Sequence, residues 1–237
     1  MSTNQGMASR ALIFDMDGVL VDSEPLHLLA YQTAFGEYGI TYTEADNQEF
    51  LGRKDHDCAQ TIVNRFQLPV SASQLLHRKE AVLASLLKER SVARPGVEKI
   101  LSGARALGIR LGVASMATTG AIDLVLETLG IRQYFQTLTS GDEIKNGKPA
   151  PDIFLLAARR LSASPADCLV IEDTINGIRA AKSAGMQCVA IPCQATRYQD
   201  HSEADLRLNS LSELDVSLWA ETGKLLHKPV QRGRMRD

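Results

Sequence analysis

The chain has 237 residues, of which 44% are hydrophobic and 23% are charged. This composition is typical of a folded globular protein and excludes a disordered or collagen-like chain. The 26 Lys and Arg residues against 28 Asp and Glu residues give a formal net charge of −2. No global basic field therefore exists to attract nucleic acid or an anionic membrane. At about 150 residues per domain, the length predicts one large domain or a core with an insertion.

The cysteines and the apolar runs indicate the compartment. The four cysteines have no Cys-x-x-Cys spacing and are too few for a disulfide framework; they are Cys58, Cys168, Cys188 and Cys193. The first apolar stretch, Ala11 to Leu20, is interrupted by two aspartates, and no run approaches the roughly 20 residues that a membrane span needs. We therefore expect a cytoplasmic protein that acts without a nucleic acid or membrane partner, as a monomer.

Short apolar runs alternate along the chain with segments of helical period, which predicts a Rossmann-like α/β core, a parallel sheet with helices on both faces. The predicted strands are Ala11–Phe14, Arg110–Ala114, Gln136–Thr139, Cys168–Ile171 and Gln187–Ile191. The predicted helices begin near Gly96, Thr119, Asp152 and Ile175 and end near Gly108, Gly130, Ser162 and Gly185. Three of these four ends are glycines, which take the left-handed conformation that often follows a helix.

One segment, from about Pro25 to Ser91, departs from this alternation because it contains helical patterns alone. We interpret residues 25–91 as an inserted all-helical cap domain, with helices over Leu26–Tyr38, Asp55–Phe66 and Ser73–Arg90. Residues 1–24 and 92–226 then form the core, to which the chain returns at Pro95-Gly96. The basic segment 227–237 has little to bury and is expected to be disordered.

The run Phe14-Asp15-Met16-Asp17-Gly18-Val19-Leu20-Val21-Asp22-Ser23 follows the first predicted strand. Ligands bind beyond the carboxyl ends of the strands in open α/β sheets, so Asp15 lies where chemistry is expected. Two carboxylates two residues apart, Asp15 and Asp17, would repel each other in a dry site unless a cation lay between them.

This run resembles the first motif of the haloacid dehalogenase (HAD) superfamily of phosphotransferases. Three further motifs of that family match here in the right order, each at or after a predicted strand: Ser115, Lys148 and Glu172-Asp173. The resemblance extends from about Ala11 to Leu214. The helical insertion is similar to the small helical cap of the phosphoglycolate phosphatase and beta-phosphoglucomutase branch.

The resemblance implies a role for each acidic residue. Asp15 would be the covalent nucleophile, and Asp17 the acid that protonates the leaving alkoxide and the base that activates water. Asp15, Asp173 and the backbone carbonyl of Asp17 would bind Mg²⁺, which prefers carboxylate oxygens, water and phosphate. Glu172 would act on the metal through a bound water.

Other residues would bind the substrate. Lys148 would place a compact positive charge against the phosphate and the nucleophile, while Ser115 and the backbone N–H groups around Met116 would donate hydrogen bonds to it. The family often has a small polar residue where this chain has Ala117, which leaves fewer donors. From the cap, the resemblance and the charge pattern single out His27, together with Arg53 in Gly52-Arg53 and Lys79 in Arg78-Lys79, as candidate substrate-binding residues.

These motifs predict a Mg²⁺-dependent phosphatase that hydrolyses a small phosphorylated metabolite, a sugar phosphate, through an aspartyl phosphate. A beta-phosphoglucomutase-like sugar phosphomutase stays open, because the chemistry up to that intermediate is shared. A dehalogenase is disfavoured, since a halide leaving group needs neither a proton nor a metal. A binding protein without catalytic activity is the third hypothesis, because a fold does not determine a function.

Overall fold

The computed structural model describes residues 10–50 and 55–225. The chain divides into two compact units, a larger one of Met1–Asp22 and Ala93–Asp237 and a smaller one of Ser23–Val92. The predicted cap boundaries differ from these limits by one or two residues. Arg53 and the predicted disordered tail lie outside the described residues. In the ranges that are described, no helix is long and apolar enough to cross a membrane.

Six parallel strands form the sheet of the larger unit within the described residues. They are β1 (Ala11–Phe14), β2 (Arg110–Ser115), β3 (Thr137–Ser140), β4 (Cys168–Glu172), β5 (Gln187–Ala190) and β6 (Leu206–Arg207). Their spatial order is β3-β2-β1-β4-β5-β6. Phe14 of β1 pairs with Val113 of β2 on one side and with Ile171 of β4 on the other. The strand order therefore reverses beside β1, which is where open parallel sheets bind their ligands.

The smaller unit consists of helices packed around an aromatic cluster. Its helices are α1 (Glu24–Gly36), α2 (Glu44–Phe50), α3 (Asp55–Phe66) and α4 (Ala72–Arg90). Helix α4 begins with a capping box, in which Ser71 and Gln74 exchange side-chain and backbone hydrogen bonds. The rings of Tyr31, Phe35 and Tyr42 pack with their centroids 5.0 to 5.4 Å apart. This unit thus has an apolar core of its own.

The helices of the larger unit cover both faces of the sheet. They are α5 (Val97–Ala106), α6 (Thr119–Thr128), α7 (Asp152–Arg160), α8 (Ile175–Ser183) and α9 (Val216–Thr222). Ala11 and Ile13 share a buried cluster with side chains of α7 and α8. Leu12 and Phe14, which point to the opposite face because side chains alternate along a strand, are equally buried. The predicted Rossmann-like α/β fold is confirmed.

The helix ends follow the predicted signals, with a shift of about two residues. Gly108, Gly130 and Gly185 have φ values of +70°, +67° and +73°, and each lies two residues after the end of its helix. Ser162 occupies the same position after α7 with a φ of +53°, although it has a side chain. The left-handed turn after each helix lets the chain reverse toward the next strand.

Strand β6 and helices α2 and α9 were not predicted. Strand β6 has two residues, and each of the two helices has seven. None of them is long enough to produce a hydrophobic period that can be distinguished from a loop. The chain therefore adds one strand to the five predicted, at the edge of the sheet beside β5.

Candidate active site

Asp15 is the first residue after β1, and a compact turn follows it. Its backbone N–H donates to the carbonyl of Ile171 in β4 over 2.9 Å, which continues the strand ladder by one residue. The N–H of Gly18 donates to the carbonyl of Val21, also over 2.9 Å, and this bond closes the turn. Asp17, which is half-buried, lies within it. The turn keeps both carboxylates at the carboxyl end of β1.

Lys148 joins two carboxylates that come from different strands. Its Nζ lies 2.5 Å from Oδ1 of Asp15 and 2.6 Å from Oε1 of Glu172, and all three side chains are at most 9% exposed. Burial lowers the pKa of Lys148, but the charges of Asp15 and Glu172 more than offset this, so its pKa lies above the ordinary value. The ammonium group is therefore charged at neutral pH. Its position is also limited by the ring of Phe154, with a centroid 5.0 Å away.

Glu172, at the end of β4, has both carboxylate oxygens engaged. Lys148 binds Oε1, while Oε2 accepts from the N–H of Asp173 and from the N–H and hydroxyl of Thr174 over 2.8 to 2.9 Å. A Cβ on Gly177 would lie 1.7 Å from Oε1, so the glycine makes room for this carboxylate. Direct ligation of a metal by Glu172 would displace one of these partners. The predicted action of Glu172 on the metal through a bound water stays a prediction.

Asp173 is 3% exposed, and its two oxygens differ. Oδ2 accepts a hydrogen bond of 3.0 Å from the hydroxyl of Thr196. Oδ1 is buried and has no hydrogen-bond partner among the residues that the structure describes. The pKa of Asp173 is raised to about 8, first by burial and then by the charge of Glu172, while hydrogen bonds from Cys193 and Thr196 oppose the rise.

The acidic residues of this site fit a divalent cation. Burial raises the pKa of Asp15 well above its ordinary value; Lys148 opposes this shift, and the neighbouring acidic residues add to it. A buried carboxylate oxygen without a partner is costly unless a cation or a proton reaches it. Within residues 10–50 and 55–225, there is no group of three His, Cys, Asp or Glu side chains that could hold a metal ion by themselves. A cation here would depend on two carboxylates, a backbone carbonyl and water, which suits Mg²⁺.

The loop after β2 presents backbone groups at the same edge of the sheet. Ser115 is 1% exposed, and its Oγ accepts from the N–H of Ala117 over 3.1 Å. The hydroxyl of Ser140, the last residue of β3, donates to the carbonyl of Ala117 over 2.7 Å. Met116 is half-exposed, and a Cβ on Gly141 would lie 2.7 Å from its carbonyl oxygen. The loop backbone is therefore held in place while its tip stays accessible.

The structure places two of the three cap candidates in the smaller unit. His27 is half-buried in α1. Lys79 is 1% exposed in α4, with its Nζ 3.0 Å from Oε1 of Glu80 and 4.8 Å from the ring centroid of Tyr31. Lys79 is thus a buried residue rather than the solvated side chain that its residue type suggests. A role for these residues and for Arg53 in substrate binding stays a prediction.

Three side chains that contact Asp173 from a neighbouring loop were not singled out from the sequence. Cys193, Thr196 and His201 lie in the loop after β5 and reach Asp173, the histidine through its Nε2, 2.9 Å from the Asp173 carbonyl. Because β5 neighbours β4 in a parallel sheet, the loops after both strands lie at one edge. The sequence signal that could have identified these three residues is the group of polar residues in the loop after the predicted fifth strand.

Comparisons with known proteins show the family to which the chain belongs. A family model described as haloacid dehalogenase-like hydrolase matches residues 9–185. Fructose-1-phosphate phosphatase YqaB of Escherichia coli is 35% identical over 182 residues, which are 76% of this chain and 95% of that protein. The crystal structure of CbbY from Rhodobacter sphaeroides in complex with xylulose-(1,5)bisphosphate has a TM-score of 0.78 and 29% identity, and covers 87% of this chain and 96% of its own. That of beta-phosphoglucomutase from Clostridium difficile has a TM-score of 0.74 and 28% identity, and covers 88% of this chain and 94% of its own.

Proposed function

The chain belongs to the haloacid dehalogenase-like hydrolases, and we propose that it is a Mg²⁺-dependent phosphatase that hydrolyses a sugar phosphate through an aspartyl-phosphate intermediate. The observation that carries this proposal is the arrangement around Asp15. Its carboxylate lies at the strand-order reversal, 2.5 Å from the Lys148 ammonium. On the same edge, Oδ1 of Asp173 has no partner within the described residues.

The proposed reaction has two steps on one phosphorus atom. In the first, a carboxylate oxygen of Asp15 forms a bond to phosphorus while the bond to the sugar oxygen breaks, and Asp17 donates its proton to that oxygen. In the second, Asp17 accepts a proton from water, whose oxygen bonds to phosphorus and releases Asp15. Asp17 is half-buried, so part of its surface is open to a substrate and to water.

Lys148 contributes charge to both steps. It holds Oδ1 of Asp15 in place and stays protonated, so it stabilises the ionised nucleophile against the effect of burial. The phosphoryl oxygens would accept hydrogen bonds from the loop at Ser115 and Met116, whose backbone is held by neighbouring residues. Asp15, Asp173 and the carbonyl of Asp17 would hold Mg²⁺, which when bound neutralises charge on the phosphate.

The names of the similar proteins support a substrate class. One relative is named as a fructose-1-phosphate phosphatase, and one similar crystal structure is a complex with xylulose-(1,5)bisphosphate. Both sugars carry a phosphate on carbon one. We therefore propose a ketose phosphate with its phosphate on a primary carbon. The smaller, helical unit would be the cap, and it would provide the contacts to the sugar.

A substrate screen tests this proposal. Ketose 1-phosphates, aldose phosphates and a chromogenic phosphate ester are each incubated with the enzyme and Mg²⁺, and released phosphate is measured beside isomerised sugar phosphate. We expect phosphate release that is fastest with a ketose 1-phosphate, stops with excess EDTA and is absent in Asp15→Asn. No release from any substrate in the presence of Mg²⁺ would refute the proposal.

The same screen decides the alternative activity, a sugar phosphomutase. This activity is favoured by the similarity to beta-phosphoglucomutase and shares the chemistry up to the aspartyl phosphate. A mutase would return the phosphoryl group to another hydroxyl of the sugar, so isomerised product would accumulate faster than free phosphate. A phosphatase gives the opposite ratio.

A further inference from the structure

The loop that follows β5, residues 191–205, holds the segment at the end of β4 at several points. The N–H of Ile191 donates to the carbonyl of Glu172 over 2.7 Å. Gln199 accepts a hydrogen bond of 2.8 Å from the N–H of Ile175 through its Oε1. The Nε2 of His201 lies 2.9 Å from the carbonyl of Asp173. We call residues 191–205 the β5 loop.

Within the β5 loop, Thr196 makes the contact to the Asp173 carboxylate itself. Thr196 is 3% exposed, and its hydroxyl lies 3.0 Å from Oδ2 of Asp173. The same hydroxyl oxygen accepts a hydrogen bond of 3.0 Å from the backbone N–H of Cys193 and lies 3.4 Å from its sulfur. A carboxylate is a far stronger acceptor than a thiol sulfur, so the hydroxyl proton is directed to Asp173.

The turn after β1 also restricts the position of the Asp173 carboxylate. A Cβ on Gly18 would lie 2.2 Å from Oδ2 of Asp173 and 3.3 Å from Oδ1. The carboxylate therefore lies between the turn after β1 and the Thr196 hydroxyl. With Oδ2 engaged by Thr196, Oδ1 is the oxygen left for another ligand, and it has no partner in the described structure.

We propose that Thr196 is a positioning residue for the metal site: it binds Oδ2 of Asp173 and thereby orients Oδ1 toward the Mg²⁺. This inference rests on the proposed Mg²⁺-dependent function. Thr196 does not touch the metal or the substrate in this scheme, and it acts through Asp173. Residues that orient a ligating carboxylate typically change metal affinity by about 10- to 100-fold when they are replaced.

The test measures Mg²⁺ binding to the full chain without substrate, by isothermal titration calorimetry. Thr196→Val keeps the branched shape and removes the hydroxyl, whereas Thr196→Ser keeps the hydroxyl. We expect the Mg²⁺ dissociation constant to rise by about 10- to 100-fold in Thr196→Val and to stay within about threefold of wild type in Thr196→Ser. At saturating Mg²⁺, turnover of Thr196→Val should largely recover, because the defect lies in metal affinity.

Thr139→Val is the matched control, because Thr139 is also a fully buried threonine and its hydroxyl has no partner in the described structure. Its Mg²⁺ dissociation constant should equal that of wild type. Wild-type Mg²⁺ affinity in a folded Thr196→Val would overturn the positioning role while leaving the proposed function intact. If the wild-type protein itself bound no Mg²⁺, both the metal-dependent function and this inference would fail together.

A second pair keeps the proposal falsifiable if Thr196→Val does not fold, as judged by circular dichroism. Thr196→Ser and Thr196→Ala both remove the methyl group and differ by one hydroxyl. Weaker Mg²⁺ binding in Thr196→Ala than in Thr196→Ser supports the inference. Equal dissociation constants in the two variants would overturn it.

Discussion

Gly18 and Asp173 are in a contact that leaves no space for a side chain between them. A Cβ on Gly18 would lie 2.2 Å from Oδ2 of Asp173 and 2.7 Å from its Cγ. The φ of Gly18 is +77°, a conformation that is unfavourable for residues with a Cβ. Gly18 therefore meets two requirements. Its backbone takes a left-handed conformation, and its lack of a side chain leaves room for a carboxylate from another strand.

We predict that Gly18→Ala loses Mg²⁺ binding and turnover, because the methyl group displaces the Asp173 carboxylate. Gly185→Ala is the matched control, since Gly185 has a φ of +73° but open space where its Cβ would be. Both variants should lose about 1 to 2 kcal/mol of unfolding free energy from the left-handed backbone. Calorimetric Mg²⁺ titration should separate them, and wild-type affinity in Gly18→Ala would contradict the prediction.

Replacing Asp15 and replacing Asp17 should reduce turnover in different ways. Asp15→Asn should show no turnover, whereas Asp17→Asn should lose about 10²- to 10⁴-fold through the absence of proton transfer. With a substrate whose leaving group needs no proton, Asp17→Asn should still form the phosphoryl adduct on Asp15. Mass spectrometry of peptides from the quenched reaction checks this.

Asp123→Asn is the control for that experiment, because it makes the same chemical change at an exposed ion pair with Arg132. It should keep wild-type turnover. A phosphoryl group found on any residue other than Asp15 would refute the assignment of the nucleophile.

Replacing Lys79 should affect substrates unequally. If the smaller unit binds the sugar, Lys79→Ala and Arg53→Ala should reduce kcat/KM for a sugar phosphate far more than for a small chromogenic ester. Lys148→Ala should reduce both alike, because every substrate presents a phosphoryl group. The ratio of the two kcat/KM values cancels any loss of folded protein, which matters for Lys79 because it is buried. An unchanged ratio would show that specificity lies elsewhere.

The ion pair between Glu143 and Arg160 should make stability depend on pH. Hydrogen bonds from Arg160 and from the N–H of Ser140 lower the pKa of Glu143 from 4.5 to about 2. Because the pKa is lower in the folded state, the stabilisation is present above pH 4.5 and is lost as the pH falls toward 2. The side chains are 31% and 35% exposed, so the contribution is at most about 1 kcal/mol.

Chemical denaturation of wild type and Glu143→Gln tests this dependence. The difference in unfolding free energy should be full at about pH 7 and fall to roughly half or less at about pH 3. Glu127→Gln, at an exposed position of α6, is the control and should show a smaller difference at both pH values. A difference for Glu143→Gln that does not change with pH would contradict the prediction.

The sequence by itself determined the order of strands and helices and the family. The apolar runs at Ala11–Phe14 and Cys168–Ile171 and the glycines after the helices are local signals, and local signals can be read without knowing what the chain packs against. The residues of the HAD motifs are equally local, since Asp15 and Asp17 are two positions apart. Length limited this approach: β6 and α2 are too short to show a period.

Only the tertiary structure decided which atoms meet. Lys148 and Asp15 are 133 positions apart in the chain, and their 2.5 Å contact exists because the segments that follow β3 and β1 lie at the same edge of one parallel sheet. Likewise, no pattern in the sequence connects Thr196 with Asp173, or shows that Oδ1 of Asp173 has no hydrogen-bond partner among the described residues. These relationships depend on strand order and on side-chain packing across the sheet, whereas a sequence period reports only which residues are buried.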